Sequence, residues 1–349
     1  MLVYFFSMVA RLWPRRPFGA GSSVQKARYT HEFAHTAARS HACHHPVLVY
    51  TPVLLHNSSM PESDISILIL AHNKAAYTRR CLESLPLSTL RPFHVALVDN
   101  GSTDDTPDVL DEFEKRAAAQ QISVSRLRLE QNAGAIVGRN RGMELMRGKY
   151  WVFLDNDVVV RTRSWLERLR TVLENDPRIG VVGPKLVYAL PPHDIQCAGC
   201  EVTRGGRVAF RGRGRPRLHP EFSSPRNCQT LISAAWMLRA DVAQKIGPLD
   251  ERFSPVQFED IDYCYRIREA GYVCRYEPSV ELYHFENVTT GRTGTLNYPY
   301  LTVKNGLKFK QKWAHCFEKE NGPPDDAWSW ANVATVSLED VPANLETLP

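Results

Sequence analysis

Two acidic clusters, Asp155-Asn156-Asp157 and Glu259-Asp260-Ile261-Asp262, carry the residues of this sequence best suited to joint chemistry. The first closes the apolar run Tyr150-Trp151-Val152-Phe153-Leu154. Residues i and i+2 of an extended segment point to the same side, so Asp155 and Asp157 can face one site. The carboxyl end of a strand is where open α/β sheets bind ligands. Paired carboxylates there suit a hard divalent cation and the phosphates it carries. The second cluster opens a predicted helix, where the dipole favours acids. It holds more carboxylates than capping requires, so one is free to act as a base. Cation, phosphate and base are the components of a group transfer from a nucleotide-activated donor.

Other candidates are weaker alone. Asp99 follows the apolar strand His94-Val95-Ala96-Leu97-Val98 and precedes Asn100-Gly101. Its carboxylate can accept from a base edge or a ribose, or simply form the turn. Asn132-Ala133-Gly134, with Arg139-Asn140 after it, resembles a capped helix start, and a helix N-terminus can accept phosphate. Gly134 and Gly138 do not complete G-x-G-x-x-G, so nothing supports a nicotinamide site. His284 ends a short predicted strand and can offer a neutral imidazole to a metal, or serve structurally.

The elements that must position these residues alternate. Strands are expected at Ile65–Leu70, Phe93–Val98, Val124–Leu129 and Tyr150–Leu154, and helices at Thr78–Leu85, Pro107–Ala119 and Gly134–Met146. That order predicts a mostly parallel sheet with crossover helices. The second half differs. A helix is expected at Trp165–Leu173 and a strand at Gly180–Gly183. Loops and a small hairpin turning at Gly205-Gly206 follow, then a strand at Thr230–Leu238. Helices at Ala240–Ile246, Asp260–Ala270 and Tyr300–Trp313 are expected, with two short strands at Val273–Tyr276 and Val280–Tyr283. Residues 321–349, with Pro and Asp, are expected to fray.

The chain has 349 residues and a formal net charge of +5. Phosphorylated ligands or an anionic membrane surface suit that balance. Nucleic acid is not expected as a partner, because no concentrated basic stripe accompanies the charge. Eight cysteines are scattered, and Cys197 with Cys200 forms the one C-x-x-C. Without a second pair at zinc spacing, reduced buried thiols in a cytoplasmic compartment are expected. No apolar run reaches the length of a membrane span. The apolar opening Met1–Trp13 precedes the pair Arg15-Arg16, the reverse of a secretory signal. Residues 1–60 are read as a disordered tail or a mis-assigned start, with a weak membrane-surface anchor as the alternative. A chain starting at Met60 is expected to fold and bind donor like the full chain. A large fall in melting temperature on truncation would show that the segment is packed.

Taken in order, the motifs resemble family 2 inverting glycosyltransferases of the rhamnosyltransferase-like branch, with the GT-A fold. The matching pieces are Ser66-Ile67-Leu68-Ile69-Leu70-Ala71-His72-Asn73, Val98-Asp99-Asn100-Gly101-Ser102-Thr103-Asp104, and Asn132-Ala133-Gly134 with Arg139-Asn140. They continue with Phe153-Leu154-Asp155-Asn156-Asp157, Gly247-Pro248-Leu249-Asp250-Glu251-Arg252-Phe253, Glu259-Asp260-Ile261-Asp262 with Arg266, and His284. Two departures stand out. Ala71-His72-Asn73 lacks the family's frequent Tyr-Asn pair, and Ser233-Ala234-Ala235-Trp236 carries Trp and no Gly, which bears on the acceptor pocket.

The resemblance implies an α/β fold with a Rossmann-like, mostly parallel central sheet and flanking helices. It spans residues 61–290, with a nucleotide-binding half (61–158) and an acceptor and catalytic half (159–290). A helical extension and tail occupy 291–349. It implies a nucleoside-diphosphate sugar donor bound by Ala71, Asn73, Asp99, Arg139, Asp155 and Asn156. Mg2+ or Mn2+ would be held by Asp157 and His284. Asp260 would be the general base, with Glu259 beside it. The acceptor would be a glycan or lipid-linked saccharide, as in cell-wall or polysaccharide synthesis, at the inner face of the membrane or free in the cytoplasm. A sugar nucleotidyltransferase would need a Gly-rich first loop with Arg, which is lacking. A non-catalytic binding module would not need Asp157, Asp260 and His284 together; a catalytically degenerate nucleotide-sugar-binding module of the same fold stays as the alternative.

Overall fold

The computed structural model describes residues 63–286, 288, 297–320, 322–326, 331, 333 and 336–349. All of these fall in the unit Thr51–Pro349. The expectations for residues 1–60 fall outside them.

Strands β1 (Ile65–Ala71), β2 (Phe93–Asn100), β3 (Ile122–Leu129) and β4 (Tyr150–Asp155) lie in the order β3-β2-β1-β4. All three pairings are parallel. Helices α1 (Ala75–Ser84), α2 (Thr106–Ala117) and α3 (Ala135–Met143) make the connections. The chain continues through β5 (Val158–Val160), α4 (Trp165–Asn175), β6 (Ile179–Val187) and β7 (Ile195–Cys197). The hairpin β8 (Cys200–Val202) and β9 (Val208–Phe210) follows, turning at Gly205-Gly206 as expected. Then come β10 (Arg226–Cys228), β11 (Ala235–Arg239), α5 (Ala240–Ile246), α6 (Glu259–Glu269), β12 (Val273–His284) and α7 (Tyr298–Phe317). The large sheet runs β10-β12-β6-β11-β4-β1-β2-β3, with β5 on β12 and β7 on β6. Because β11 runs antiparallel to both β4 and β6, the sheet is mixed, parallel in its first half.

Alternation along β1 builds two cores. Ile65, Ile67 and Ile69 join Leu82 of α1, Val109 and Phe113 of α2, and Trp165 and Leu169 of α4. Leu68 points the other way, toward Ile136 of α3, Trp236, Ile261 of α6, and Phe309 and Trp313 of α7. Helices cover both faces, as a parallel sheet requires. Each fully buried Ile or Leu contributes roughly 1.5–3 kcal/mol.

Three differences from the sequence reading have physical causes. The predicted strand Thr230–Leu238 enters the sheet only from Ala235, since residues before it turn aside to meet α6. Serine 233, for instance, gives its backbone N–H to the Asp260 carboxylate. In place of the two short strands expected, β12 is continuous and absorbs Pro278 in a register shift between Glu277 and Glu281, a position where a strand tolerates proline. The C-terminal residues, expected to fray, return to the domain. Leu348 bridges Thr162 in parallel, and Val336 and Val341 pack with Val159, Tyr283 and Phe285. Arg161 meets Glu346 at 2.9 Å.

Beneath that segment, buried Glu281 accepts from Arg161 (3.1 Å) and Arg217 (3.2 Å) and pairs with the Lys185 ammonium at 3.6 Å. Arg161 and Lys185 are almost fully buried. Removing the shared anion strands buried cations, so Glu281→Gln should lower stability by about 3–5 kcal/mol. A denaturation midpoint measured on the variant checks this.

Candidate functional site

The site forms at the carboxyl ends of β1, β2 and β4. In register, Ala71 lies beside Asp99, and Leu70 beside Asp155. The turn after β2 is held closely. Gly101 has φ +69°, and a Cβ there would meet the backbone of Gln131 at 2.4 Å. Only glycine permits that approach, which lets Asn100 Nδ2 donate to Asn132 Oδ1 at 3.0 Å. Asp99 is fully buried. Its Oδ1 accepts the Ser102 N–H at 2.8 Å, the turn role open to it from sequence. Its Oδ2 lies 3.4 Å from Arg128 but has no hydrogen-bond partner. Asn73, at φ +56°, uses Oδ1 to accept the Thr103 and Asp104 N–H groups and so holds the first loop against the second.

Backbone pairing creates the acid–imidazole meeting. Strand β5 runs antiparallel to the end of β12 with Val158 opposite His284, and Phe285 N–H donates to Asp157 O at 3.1 Å. His284 Nε2 therefore sits 3.3 Å from Asp157 Oδ1. Its other nitrogen, Nδ1, faces Gln196 Oε1 at 2.9 Å. An amide oxygen only accepts, so Nδ1 donates to it and Nε2 is the nitrogen that faces the site. Burial disfavours the imidazolium, but Asp157, with Asp155 behind it, outweighs burial and raises the pKa to about 9. Asp155, Asp157 and His284 each offer a ligand atom, all within 4.8 Å of one another. Two carboxylates and an imidazole fit a small divalent cation. Asn156, between the acids, turns away and donates to Thr78 Oγ1 at 2.8 Å.

Arg139 connects this group to the second acidic cluster. Buried on α3, it donates to Asp155 Oδ1, to Glu259 Oε1 at 3.0 Å and to Ser233 Oγ at 3.1 Å. The guanidinium is thus committed to protein partners. Glu259 is buried and its carboxyl pKa is raised, by burial first, although Arg139 opposes the shift. Its Oε2 has no partner. Asp260 is half-buried and accepts from Ser233 N–H at 3.2 Å and Ile261 N–H at 2.8 Å. Burial and the neighbouring Glu259 lift its pKa to about 7. The backbone ahead of the pair is strained, with Gln257 and Phe258 at φ +87° and +70°. Non-glycine residues held there cost about 1–3 kcal/mol each and mark functional sites. Asn305 Nδ2 of α7 holds this turn, donating to the Phe253, Val256 and Gln257 carbonyls.

Neighbouring candidates fall elsewhere. Asp262 is buried against α7, accepting from Trp313 Nε1 at 2.8 Å and pairing with Lys312 at 2.7 Å. Arg266 donates to the Pro248 and Ile246 carbonyls at the end of α5. Trp236 does not line an acceptor pocket; it is fully buried, edge-on to Phe153 and near Tyr263. Cys197 and Cys200 are buried free thiols 3.7 Å apart. Sequence reasoning missed Gln196, Ser233 and Asn305. A glutamine inside the apolar Ile195-Gln196-Cys197 was the available signal for the first.

Comparison with known proteins follows the same outline. The chain is 26% identical over 307 residues to an uncharacterized protein, y4gI, of Sinorhizobium fredii, covering 84% of this chain and 33% of that one. It is 28% identical to the N-acetylglucosaminyl-diphospho-decaprenol L-rhamnosyltransferase of Mycobacterium tuberculosis, over 65% of this chain and 78% of that protein. A pre-mycofactocin glycosyltransferase of the same species is 29% identical over 63% of this chain, which spans 42% of its length. Among solved structures, GalNAc-T7 with UDP, GalNAc and Mn2+ superposes with a TM-score of 0.58 at 18% identity, covering 73% of this chain and 48% of that one. The likeness establishes the GT-A fold. The family model for glycosyl transferase family 2 matches residues 66–247, more than half of the sequence, and the chain belongs to that family.

Proposed function

We propose that the chain is a metal-dependent inverting glycosyltransferase that moves a sugar from a nucleoside-diphosphate donor to a hydroxyl of a glycan or lipid-linked acceptor. One observation carries the reading. A group of metal-ligating atoms and a carboxylate with pKa about 7 lie at the two ends of a single buried chain, Asp155–Arg139–Glu259 next to Asp260. Such a base is half ionised near neutrality, where a general base works best.

The residues divide the work. Asp99 Oδ2, buried without a hydrogen bond, accepts a donor group of the nucleobase, and Ala71 leaves room beside it. Asn73 shapes the loop over the base. Asp155 faces the ribose or the cation's water shell. Asp157 and His284 would hold Mg2+ or Mn2+, and the ion would supply positive charge to offset that of the departing nucleotide. Asn156 and Arg139 fix the positions of Asp155 and Asp157 rather than grip the donor. Asp260 takes the proton of the acceptor hydroxyl. The hydroxyl oxygen bonds to the anomeric carbon as the bond from that carbon to the diphosphate breaks, and its electron pair leaves with the nucleotide. A single displacement inverts the anomeric centre, and Glu259 with Arg139 keeps the Asp260 carboxylate aimed.

A panel of nucleotide sugars, with and without Mn2+, read by thermal shift and by transfer to a lipid-linked saccharide, tests the reading. Failure of every nucleotide sugar to raise the melting temperature would remove it. Gln196 supplies a further check. Partners that orient a metal-binding imidazole are typically worth 10–100-fold in metal affinity, so Gln196→Leu should weaken Mn2+ binding by about that factor while the fold persists. Calorimetric titration of Mn2+ in the presence of a nucleoside diphosphate measures it.

A further inference from the structure

Six large apolar side chains are exposed among the described residues, and three of them, Tyr300, Val303 and Leu307, sit on α7, at 58%, 47% and 64% exposure. Their spacing puts them on one stripe of the helix. The opposite face is already occupied: Leu301 is buried, and Phe309, Trp313 and Phe317 pack in the core with α6. The first half of α7 is therefore apolar on two sides, and only one has a partner among the described residues. The stripe is edged by Lys304, which is exposed; of the half-exposed lysines beyond it, Lys308 donates to the Arg252 carbonyl and Lys310 faces Asp325. No acidic residue occurs between Tyr298 and Phe317. Apolar side chains edged by a lysine, on a helix without acids, match an anionic lipid surface, where the stripe enters the acyl boundary and the ammonium group stays among the headgroups.

The position fits this use. Asn305 and Tyr298, on the same helix, hold the strained turn before Glu259, through the Phe253, Val256 and Gln257 carbonyls and the Gln257 side chain. A surface that receives the stripe lies close to the end of the site where the base is placed.

We infer that α7 docks the protein on an anionic membrane through Tyr300, Val303 and Leu307, with Lys304 among the headgroups. The docking surface stands on its own geometry; only its purpose, presenting a lipid-linked acceptor to Asp260, rests on the function proposed above.

Flotation of the full chain with phosphatidylcholine vesicles, with and without phosphatidylglycerol and at low and high salt, tests it. The protein should float with the anionic vesicles and lose most binding in high salt. Val303→Ser with Leu307→Ser should reduce partitioning by roughly tenfold or more, and Lys304→Gln by about fivefold. The melting temperature should hardly change, since these side chains are exposed. Absence of vesicle binding by the unmodified protein, or equal binding by the stripe variant, overturns the inference. So does binding lost on deleting residues 1–59 but kept by the stripe variant, which would assign the contact to the N-terminal segment. A dimer dissolved by the stripe variant without vesicle binding would instead assign the face to a second copy. Donor affinity measured on the same proteins is a separate readout: its absence counts against the proposed transferase and leaves the flotation result standing.

Discussion

Asp260→Asn is expected to leave donor affinity nearly unchanged and to lower turnover by roughly 10²-fold or more. The substitution keeps the size of the side chain and one acceptor for the Ser233 and Ile261 N–H groups, but it cannot take a proton. If the carboxylate serves only the start of α6, Asn should replace it with little effect on turnover. Stability gives a second readout. Burial and Glu259 raise the Asp260 pKa from its usual 3.8 to about 7, so between those values the folded protein holds a proton that the unfolded chain has lost. Through this group, stability is greatest at low pH and falls as pH rises toward 7. The variant lacks that slope, so the drop in melting temperature from pH 5 to pH 8 should be smaller than in the unmodified protein. Turnover should rise through pH 7 in the unmodified enzyme as the base ionises. Near-normal turnover in Asp260→Asn would take the residue out of the mechanism and turn attention to Glu259. It would not turn to Asp262, which is occupied by Trp313 and Lys312.

Asp157→Ala should abolish metal-dependent donor binding. The side chain lies 3.3 Å from His284 Nε2, and its loss removes one of the three ligand atoms gathered there. Without a cation held there, a bound diphosphate would face Asp155 uncompensated. Calorimetry with a nucleoside diphosphate should show Mn2+ increasing affinity in the unmodified protein and having no effect in the variant. Equal enhancement in both would sink the assignment of Asp157. The imidazole provides an internal control: without its neighbouring carboxylate, the His284 pKa should fall from about 9, because burial then acts with less opposition.

Local pattern made much of this site readable. Alternation in β1 and the apolar run of β4 put Asp155 at a strand end, and the motif order pointed to the family before any geometry was known. What stayed hidden was non-local or short. Strand β5 has three residues, too few for periodicity, yet its register against β12 is what brings Asp157 to His284. Arg139 was read as a donor contact because its sequence neighbourhood is a helix start. Its buried partners, Asp155 and Glu259, lie 16 and 120 residues away, and no local signal reports such a pairing. Trp236 looked like a change in the acceptor pocket because a strand residue's face cannot be assigned until its register is known. The polar C-terminal composition concealed Val336 and Val341, whose partners also come from distant segments.

That returning segment also bears on the order in which the protein takes shape during synthesis. Arg161 and Glu346 are separated by 185 residues, so the outer edge of the strip from Asp157 to Arg163 cannot close until the ribosome has made almost all of this sequence. Domains fold from the N-terminus as they emerge, and the β3-β2-β1-β4 half can assemble early from neighbouring segments. The strip that carries Asp157 then waits with an unpaired edge, the kind of surface that recruits other chains. Translation that stalls before residue 336 would therefore release a nascent chain with its β3-β2-β1-β4 half formed and an adhesive border beside Asp157, a natural client for a chaperone that recognises extended apolar segments.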